Sequence, residues 1–442
     1  MTDADDVQPS RKLAIHTKIL IGLLVGAILG VTANNLFGGE QWLIDFIDGP
    51  VYFVGQVFLR IIFMVVIPLL FSALTLGVAE LGDIRKLGRI GARTFGYTLI
   101  VTTISVVIGL AIVNIVQPGH FLSEESKQEL IASTDKDKII ANAETAKKTK
   151  TVDKILQIIP NNPIGDMANS INPHPAYAGS GFIAVMFFAF IFGLGLAMSD
   201  PDTVAPIIGV LKGIYAAVMK IIDFAMSLAP YAVACLIFAT TARLGFSVFK
   251  SLAAYVAVVL VALAIHQFGT YSVLVYFLAK MNPITFFSKI REVMITAFST
   301  SSSNATLPTA MRVTEEKLGV PREITGFVLT LGSTANQNGT ALYEGITVLF
   351  LAQVFNVDLT FGQQITVLLM SILAGIGTAG VPGGSLPLVV LVLQSVNVPA
   401  EGIAIILGVD RILDMSRTVL NVTGDITAAA YVARAEGVVL KT

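Results

Sequence analysis

Residues 336–340 read Asn-Gln-Asn-Gly-Thr and interrupt an apolar stretch that extends from residue 322 to residue 354. Three further polar interruptions occur in the last third of the chain. They are Ser-Ser-Ser-Asn-Ala-Thr-Leu-Pro at 301–308, Gly-Thr-Ala-Gly-Val-Pro-Gly-Gly at 377–384, and Asp414 with Arg417, Asn421 and Asp425 on one helical stretch. At membrane depth, a helix can break only where protein or a water-filled cavity satisfies the freed N–H and C=O groups. Four close interruptions therefore predict an enclosed polar site at the bilayer midplane, as is typical of transporters.

The composition is that of a membrane protein. Of the 442 residues, 54% are hydrophobic and only 13% are charged. The mean hydropathy is +0.78, so we expect a polytopic membrane protein. The net charge of −1 argues against nucleic acid as a partner. One cysteine and four scattered histidines argue against a structural zinc site. Because no nucleophile–base pair is evident, we expect neither an enzyme nor a bound cofactor.

Six apolar segments come first, and each predicts one transmembrane helix. They lie near 13–37, 48–79, 90–116, 179–199, 205–241 and 248–280, within a region that we take as 13–280. Residues 1–12 are polar and are expected to form a cytoplasmic tail. Residues 117–178 form a long polar loop with charges of both signs and are expected to be a surface insertion.

The pattern changes in the last third of the chain. Residues 283–312 and 361–395 are apolar but carry Ser, Gly and Pro at their centres, so each could be a re-entrant helical hairpin. Each is followed by a span with polar residues inside it, at 322–354 and at 401–434. The predicted fold is all-α, with eight transmembrane helices and two re-entrant hairpins. The hairpins and the spans after them would form an inverted repeat around one site, in a core that covers 281–436.

Basic residues set the expected orientation. Lys and Arg cluster before the first apolar segment, after the second, around the first hairpin and at the end of the chain. The short loops at 38–47, 355–360 and 396–400 have none. Eight spans with both termini in the cytoplasm satisfy this distribution. The first hairpin would then open from the cytoplasm and the second from outside.

Asp414, Arg417 and Asp425 are the strongest candidates for chemistry. Their spacing places them near one face of a helix, and charges at the bilayer centre are costly and usually functional. Arg417 could bind a carboxylate with two parallel N–H bonds, and Asp414 could hold an ammonium. A ligand with both groups is an acidic amino acid. The alternative is a structural pair in which Asp414 and Arg417 only neutralise each other.

The break at 336–340 indicates a cation site. Asn and Gly unwind a helix, and unwound carbonyls are oxygen ligands for a small cation. Asp425 would add the negative charge. Glu344 lies one turn after Thr340, and burial there would disfavour its charged form, so it could carry a proton. The alternative is a structural acid that is hydrogen-bonded or reaches the membrane surface.

These motifs resemble those of the dicarboxylate/amino acid:cation symporter family, the prokaryotic type of glutamate and aspartate transporter. The resemblance covers nearly the whole chain and is most specific at the serine-rich tip 301–308, the Asn-x-x-Gly-Thr break, the tip at 377–384 and the stretch 414–425. It implies a homotrimer in the inner membrane. It also implies that helices 1, 2, 4 and 5 form a fixed scaffold, while helices 3 and 6 move with the core as an elevator and the second hairpin acts as a gate.

The resemblance also implies site residues. Those for the acidic amino acid would be Ser302, Ser303, Thr340, Val381, Pro382, Gly383, Asp414, Arg417, Thr418 and Asn421. A first sodium site would use Gly332, Asn336, Asn421 and Asp425, and a second would use the backbone of Thr334, Gly375, Ile376 and Thr378. Sodium ions are therefore expected as coupling ions, and Glu344 matches a proposed proton carrier of animal relatives.

One motif departs from the family pattern. The usual break is Asn-Met-Asp-Gly-Thr, and this chain has Gln337 and Asn338 in place of the methionine and the aspartate. That aspartate belongs to a third sodium site, and Thr98 and Val101 replace its usual tyrosine and threonine partners in the third span. The sequence therefore predicts fewer coupled sodium ions than in relatives that keep the aspartate.

The predicted function is uptake of glutamate or aspartate coupled to sodium, protons or both. The alternative is a proton-coupled C4-dicarboxylate transporter of the same family, and Asp414 argues against it because such substrates have no ammonium. A dedicated channel would not need two paired hairpins. The type of coupling ion stays open at this point.

Overall fold

The protein is described here by a computed structural model. The described residues are 15–80, 89–124, 127–128, 159–169, 182–245, 247–378 and 383–441. Every regular element among them is helical, and none of them forms a β-strand. The predicted tail 1–12 and most of the polar loop 117–178 lie outside these ranges. The all-α part of the prediction is confirmed.

The α-helices follow the predicted segments closely. They are α1 Ile15–Phe37, α2 Gln41–Phe46, α3 Tyr52–Glu80, α4 Arg89–Val116, α5 Pro163–Asn169, α6 Phe182–Met198, α7 Pro201–Leu244, α8 Ser247–Ala264, α9 Tyr271–Phe277, α10 Pro283–Thr300, α11 Ser303–Glu316, α12 Arg322–Ala335, α13 Asn338–Val354, α14 Phe361–Gly377, α15 Leu386–Ser395 and α16 Ile403–Ala435. Short π-helical segments join α2 to α3 and α8 to α9 without breaking the path of the chain.

Several helical stretches are long and apolar enough to cross a membrane. In the described part of the chain there are five, Thr17–Phe37, Gln41–Ala79, Arg89–Phe121, Pro201–Arg243 and Val248–Phe277. The 44 residues of α7 span about 66 Å at 1.5 Å per residue, which is more than the ~30 Å hydrocarbon core. We therefore expect α7 to be tilted or to extend beyond the bilayer. The count of eight spans stays a prediction.

Helices α1, α3, α6 and α7 pack on one another. Glycines spaced four apart on α1 allow its close approach to α7. A Cβ atom at Gly22 would lie 2.3 Å from the carbonyl oxygen of Pro230, and one at Gly26 equally close to that of Ala234. These helices contain the predicted spans 1, 2, 4 and 5. Their role as a fixed scaffold stays a prediction.

The remaining long helices pack around α16. It contacts α10, α11, α12 and α13, while α4 lies against α13. At the end of α16, Glu436 pairs with Arg89 and Arg93 of α4. The hydrogen bond from Arg89 holds the pKa of the Glu436 carboxyl below its usual range. The polar residues of the last third are therefore assembled around one long central helix.

Both segments predicted as hairpins consist of two helices that fold back on each other. In the first, Glu292 of α10 pairs with Arg312 of α11 and with Lys317 just after it. The turn between them places Ser301 at φ 49°. In the second, α14 packs against α15. Their re-entrant position in a bilayer stays a prediction.

Candidate functional site

Six helix ends meet at one place beside α16. The ends of α10, α12 and α14 and the beginnings of α11, α13 and α15 surround a buried polar pocket. Its lining residues are Ser301, Ser303, Gln337, Thr340, Thr378, Ser385, Asp414, Arg417, Thr418 and Asn421. Helix beginnings present free N–H groups to anions, and helix ends present carbonyl oxygens to cations. The pocket can therefore accept both charges.

Arg417 lies at the centre of this pocket, with a side chain that is 2% exposed. Its Nε and Nη2 donate to Asp414 Oδ1 at 3.1 and 3.0 Å, and its Nη1 donates to Asp410 Oδ1 at 3.2 Å. The guanidinium also lies 4.3 Å from the ring centroid of Tyr343, whose hydroxyl donates to Asp410 Oδ1 at 2.7 Å. Arg417 is thus held on three sides by α13 and α16.

The two oxygens of Asp414 have different partners. Oδ1 accepts the two bonds from Arg417, whereas Oδ2 accepts one bond from Arg411 Nη1 and one from the backbone N–H of Gly383, both at 3.3 Å. The pairing of Asp414 with Arg417, which the sequence predicted as the structural alternative, is present in this structure. The bond from Gly383 also ties the start of the α15 region to α16.

Asn421 joins α16 to the start of α13. Its Oδ1 accepts the N–H of Gly339 at 2.7 Å. Its Nδ2 donates to Gln337 Oε1 at 2.5 Å and to Thr340 Oγ1 at 3.1 Å. One turn earlier, the Thr418 hydroxyl donates to the Asp414 carbonyl at 2.7 Å. This network fixes the unwound segment of the break against α16.

The structure brings most of the predicted substrate residues together. Ser303, Thr340, Asp414, Arg417, Thr418 and Asn421 line the pocket. Ser302 instead caps α11, since its Oγ accepts the N–H of Ala305 at 3.1 Å. Gly383 lies beside Asp414 and has φ 75°, which favours glycine. Val381 and Pro382 lie outside the described residues.

The prediction did not include several residues of this site. Ser301, Gln337 and Ser385 line the pocket, and the hydroxyl oxygens of Ser301 and Ser385 have no hydrogen-bond partner. Asp410 and Tyr343 position Arg417. A signal for Asp410 was present, since it precedes Arg417 by seven residues and so lies on the same helical face. No spacing rule connects α13 to α16, so Tyr343 had no such signal.

The residues predicted for the first sodium site fit a cation only in part. Asp425 is 3% exposed, and the side-chain donor that bonds it among the described residues is Asn336 Nδ2 at 2.8 Å. The Oδ1 of Asn336 is buried without a partner. Gly332 packs directly on the carboxylate, since a Cβ there would lie 2.3 Å from Asp425 Oδ1. The side chain of Asn421 points away to the pocket. A buried carboxylate beside an unpaired oxygen suits a cation or a proton.

The residues predicted for the second sodium site lie at two neighbouring helix ends. Thr334 is in the last turn of α12, and Gly375, Ile376 and Thr378 are at the end of α14. The two ends are close, because a Cβ at Gly375 would lie 3.4 Å from the Gln337 carbonyl oxygen. The Thr378 hydroxyl is bonded to the Ala374 carbonyl and so faces its own helix. Only the backbone carbonyls there could serve a cation.

Asn338 is satisfied by neutral partners. Thr102 Oγ1 donates to its Oδ1 at 2.5 Å, and its Nδ2 donates to the Tyr271 hydroxyl at 3.0 Å. Ser105 Oγ donates to its backbone carbonyl at 2.6 Å. The predicted partners Thr98 and Val101 are buried on the same helix, α4. The side chain therefore joins α13 to α4 and α9 without contributing a charge.

Glu344 is completely buried in α13, and neither carboxylate oxygen has a hydrogen-bond partner. Burial and the absence of a hydrogen-bond partner among the described residues argue against the structural alternative, an acid that is hydrogen-bonded or reaches the membrane surface. Glu344 does not line the pocket. An unpaired carboxylate in such a place is far more stable when protonated than when charged.

Gly339 allows the closest approach between α13 and α16. A Cβ there would lie 2.6 Å from the Arg417 carbonyl oxygen. We expect Gly339→Ala to lower stability by roughly 1–3 kcal/mol, as overpacking does, and to lower the melting temperature of the purified protein. Gly362→Ala is the control, since a Cβ there meets nothing within 4 Å. Equal melting temperatures for the two variants would contradict this packing.

An enclosed polar pocket between interrupted helices of an apolar, all-helical protein is the architecture of a secondary membrane transporter. The comparisons define the class further. The chain matches the sodium:dicarboxylate symporter family over residues 15–435 and belongs to that family. The predicted resemblance is confirmed. The family consists of symporters, and an enzymatic function is not indicated.

Relatives of known function cover nearly the whole chain. It is 34% identical to the proton/sodium-glutamate symport protein of Bacillus subtilis, over 96% of this chain and 94% of that protein. It is 33% identical to the proton/glutamate-aspartate symporter of Escherichia coli, over 96% and 93%. It is 30% identical to human excitatory amino acid transporter 5, over 94% and 80%.

Proposed function

We propose that this protein is a secondary active symporter that takes up glutamate or aspartate together with sodium ions, protons or both. The observation that carries the proposal is the buried arrangement of Arg417 and Asp414 in a pocket ringed by three helix beginnings. The names of the bacterial and human relatives agree with this substrate class.

Each charged group of an acidic amino acid has a complementary group in the pocket. In our proposal, Arg417 binds the side-chain carboxylate with parallel N–H bonds. Asp414 binds the ammonium, and the free N–H groups at the starts of α11 and α15 bind the other carboxylate. Ser302, Ser303, Thr340, Thr418 and Asn421, with Val381, Pro382 and Gly383, complete the site. A C4-dicarboxylate would bring no ammonium to Asp414 and would forgo this ion pair, so an acidic amino acid is favoured over this alternative.

The cation sites of our proposal are those that the resemblance implies, and the unpaired Asn336 Oδ1 beside the Asp425 carboxylate supports the first of them. In our proposal, a sodium ion lies at Asp425, Gly332, Asn336 and the backbone of Asn421, where sodium would balance the buried carboxylate. A second lies among backbone carbonyls of Thr334, Gly375, Ile376 and Thr378. Glu344 carries a proton. With these groups, uptake of the amino acid against its own concentration gradient depends on the entry of sodium ions or protons.

The architecture that we propose is the one expected from the resemblance. Eight transmembrane helices and two re-entrant hairpins form inverted repeats, and residues 281–436 move as the core of an elevator against α1, α3, α6 and α7. The protein would be a homotrimer in the inner membrane, in contact with lipid, with both termini in the cytoplasm. Extensive packing of α1 and α3 on α7, and of α6 on α3, supports this division, and α1 and α7 also contact α16.

The decisive experiment is uptake of labelled glutamate and aspartate into liposomes that contain the purified protein. A sodium gradient and a pH gradient are imposed separately and together. Under at least one gradient, we expect the labelled amino acid to reach a higher concentration inside the liposomes than outside. If substrate only equilibrates under every gradient, the protein is not a symporter for these amino acids.

We expect Glu344→Gln to remove the pH dependence of transport while substrate binding remains. The amide is nearly the same size as the carboxyl and cannot release a proton. The measurement is glutamate uptake from pH 5 to 8, with affinity measured in parallel. Gln353→Glu, near the outer end of the same helix, serves as a control for an acid in α13. A pH profile that is unchanged by Glu344→Gln would contradict the proton role.

A further inference from the structure

Arg411 is a second buried guanidinium beside the pocket that the proposed function does not use. It lies one turn before Asp414 on α16, its side chain is 7% exposed, and its Nη1 donates to Asp414 Oδ2 at 3.3 Å. Its Nε is buried and has no hydrogen-bond partner. Arg411 therefore occupies one of the two Asp414 oxygens, although its own donors are incompletely used.

The bond from Arg411 is the weaker of the two arginine contacts to Asp414. Arg417 holds Oδ1 with two nitrogens at 3.0 and 3.1 Å, whereas Arg411 holds Oδ2 with one nitrogen at 3.3 Å. Single, longer hydrogen bonds are weaker than short paired ones. A ligand that competes for Asp414 would therefore displace Arg411 before Arg417.

The charges of this cluster balance as it stands. Asp410 and Asp414 carry two negative charges, and Arg411 and Arg417 carry two positive charges. A buried carboxylate without a cationic partner is strongly unfavourable. Any ligand that does not bring a cation to Asp414 Oδ2 therefore requires Arg411 to stay in place.

The guanidinium of Arg411 also borders a second space. This space lies between α16, the start of α15 and the helices α1, α3 and α7. Its lining includes Phe58, Met226 and Leu386 besides Arg411 and Asp414.

We propose that Arg411 is a specificity-determining residue that occupies the ammonium position on Asp414 in the unliganded carrier. This inference rests on the proposed function. A ligand with an ammonium group displaces the guanidinium from Oδ2. When the ligand has two carboxylates and no ammonium, Arg411 remains and neutralises Asp414. Arg411 thus lowers the discrimination between an acidic amino acid and its amino-free analogue.

The test compares L-aspartate with succinate, which differs by the absence of the ammonium group. The affinity of the purified protein for aspartate is measured by calorimetry, and that for succinate by competition with aspartate. The variants are Arg411→Met, which keeps the side-chain length, and Arg411→Lys, which keeps the charge. Arg434→Met is the matched control, because it removes one arginine near the end of the same helix, away from the pocket.

We expect Arg411→Met to raise the preference for aspartate over succinate by about tenfold or more, which is equivalent to 1.4 kcal/mol. Arg411→Lys and Arg434→Met should keep the parental preference. A purely structural role would change both affinities together and leave their ratio unchanged. If Arg411→Met does not fold, Arg411→Gln also removes the positive charge and keeps a polar side chain.

Three results would overturn the inference. One is an unchanged or lower preference in both neutral variants, and another is the same rise in Arg434→Met. The third is a parental protein that binds aspartate but shows no competition by succinate. A parental protein that binds neither aspartate nor glutamate would instead refute the proposed function, and the inference with it.

Discussion

Replacing Arg417 by alanine should strongly weaken the binding of glutamate and aspartate. The side chain is 2% exposed and is the one cation that contacts both Asp410 and Asp414 among the described residues. Truncating one partner of a buried, hydrogen-bonded charge pair costs roughly 2–5 kcal/mol. The affinity should therefore fall on the order of 30-fold to several thousandfold. Calorimetric titration of the purified variant with both amino acids measures this directly.

Two further variants separate substrate binding from folding. Arg312→Ala removes an arginine from an exposed pair with Glu292 and should leave the affinity unchanged. Asp414→Ala should lose binding of amino acids specifically, because the ammonium then has no partner. If Arg417→Ala and Asp414→Ala both bind aspartate with parental affinity, the pocket is misplaced.

The sequence predicted the interruptions of the helices well because their cause is local. Asn336 and Gln337 lie between α12 and α13, at backbone angles outside the helical region. Ser301 and Ser302 separate α10 from α11, and α14 ends at Gly377. Polar and glycine residues within apolar stretches mark such breaks regardless of what packs around them. The fourth interruption is different, because α16 is continuous through Asp414 and Asp425.

The contacts between distant helices were less predictable. The spacing of Asp414 and Arg417 placed them on one face, and they are bonded in the structure. Spacing alone did not show that Tyr343, 67 residues before Asp410, would share the same cluster. It also did not show which way Glu344 faces. The period of a helix defines its faces, but only packing defines which face meets the pocket.

The coupling ions that we expect also depend on contacts between distant helices. Where the resemblance would place a third sodium site, Asn338 is neutral, and Thr102 and Tyr271 already satisfy its amide. A cation there would have no carboxylate to balance it, and an unpaired buried charge is costly. Asp425, in contrast, is a buried carboxylate whose side-chain donor among the described residues is the neutral Asn336. We therefore expect a cation or proton at Asp425 and no sodium ion at Asn338.

Removing the Asp425 charge should have the second large effect. With Asp425→Asn, we expect the sodium dependence of aspartate binding to become shallower by the ion of the first site, because that site then has no negative charge to hold it. The measurement is aspartate affinity against sodium concentration at several pH values. For the parental protein, the logarithm of aspartate affinity plotted against the logarithm of sodium concentration should have a slope of fewer than three ions. Its affinity should also depend on pH, because Glu344 gains or loses a proton. Asn338→Asp is the matched gain of charge and should increase the slope, since it restores the missing carboxylate. A steep, three-ion dependence without any effect of pH in the parental protein would contradict this account of coupling.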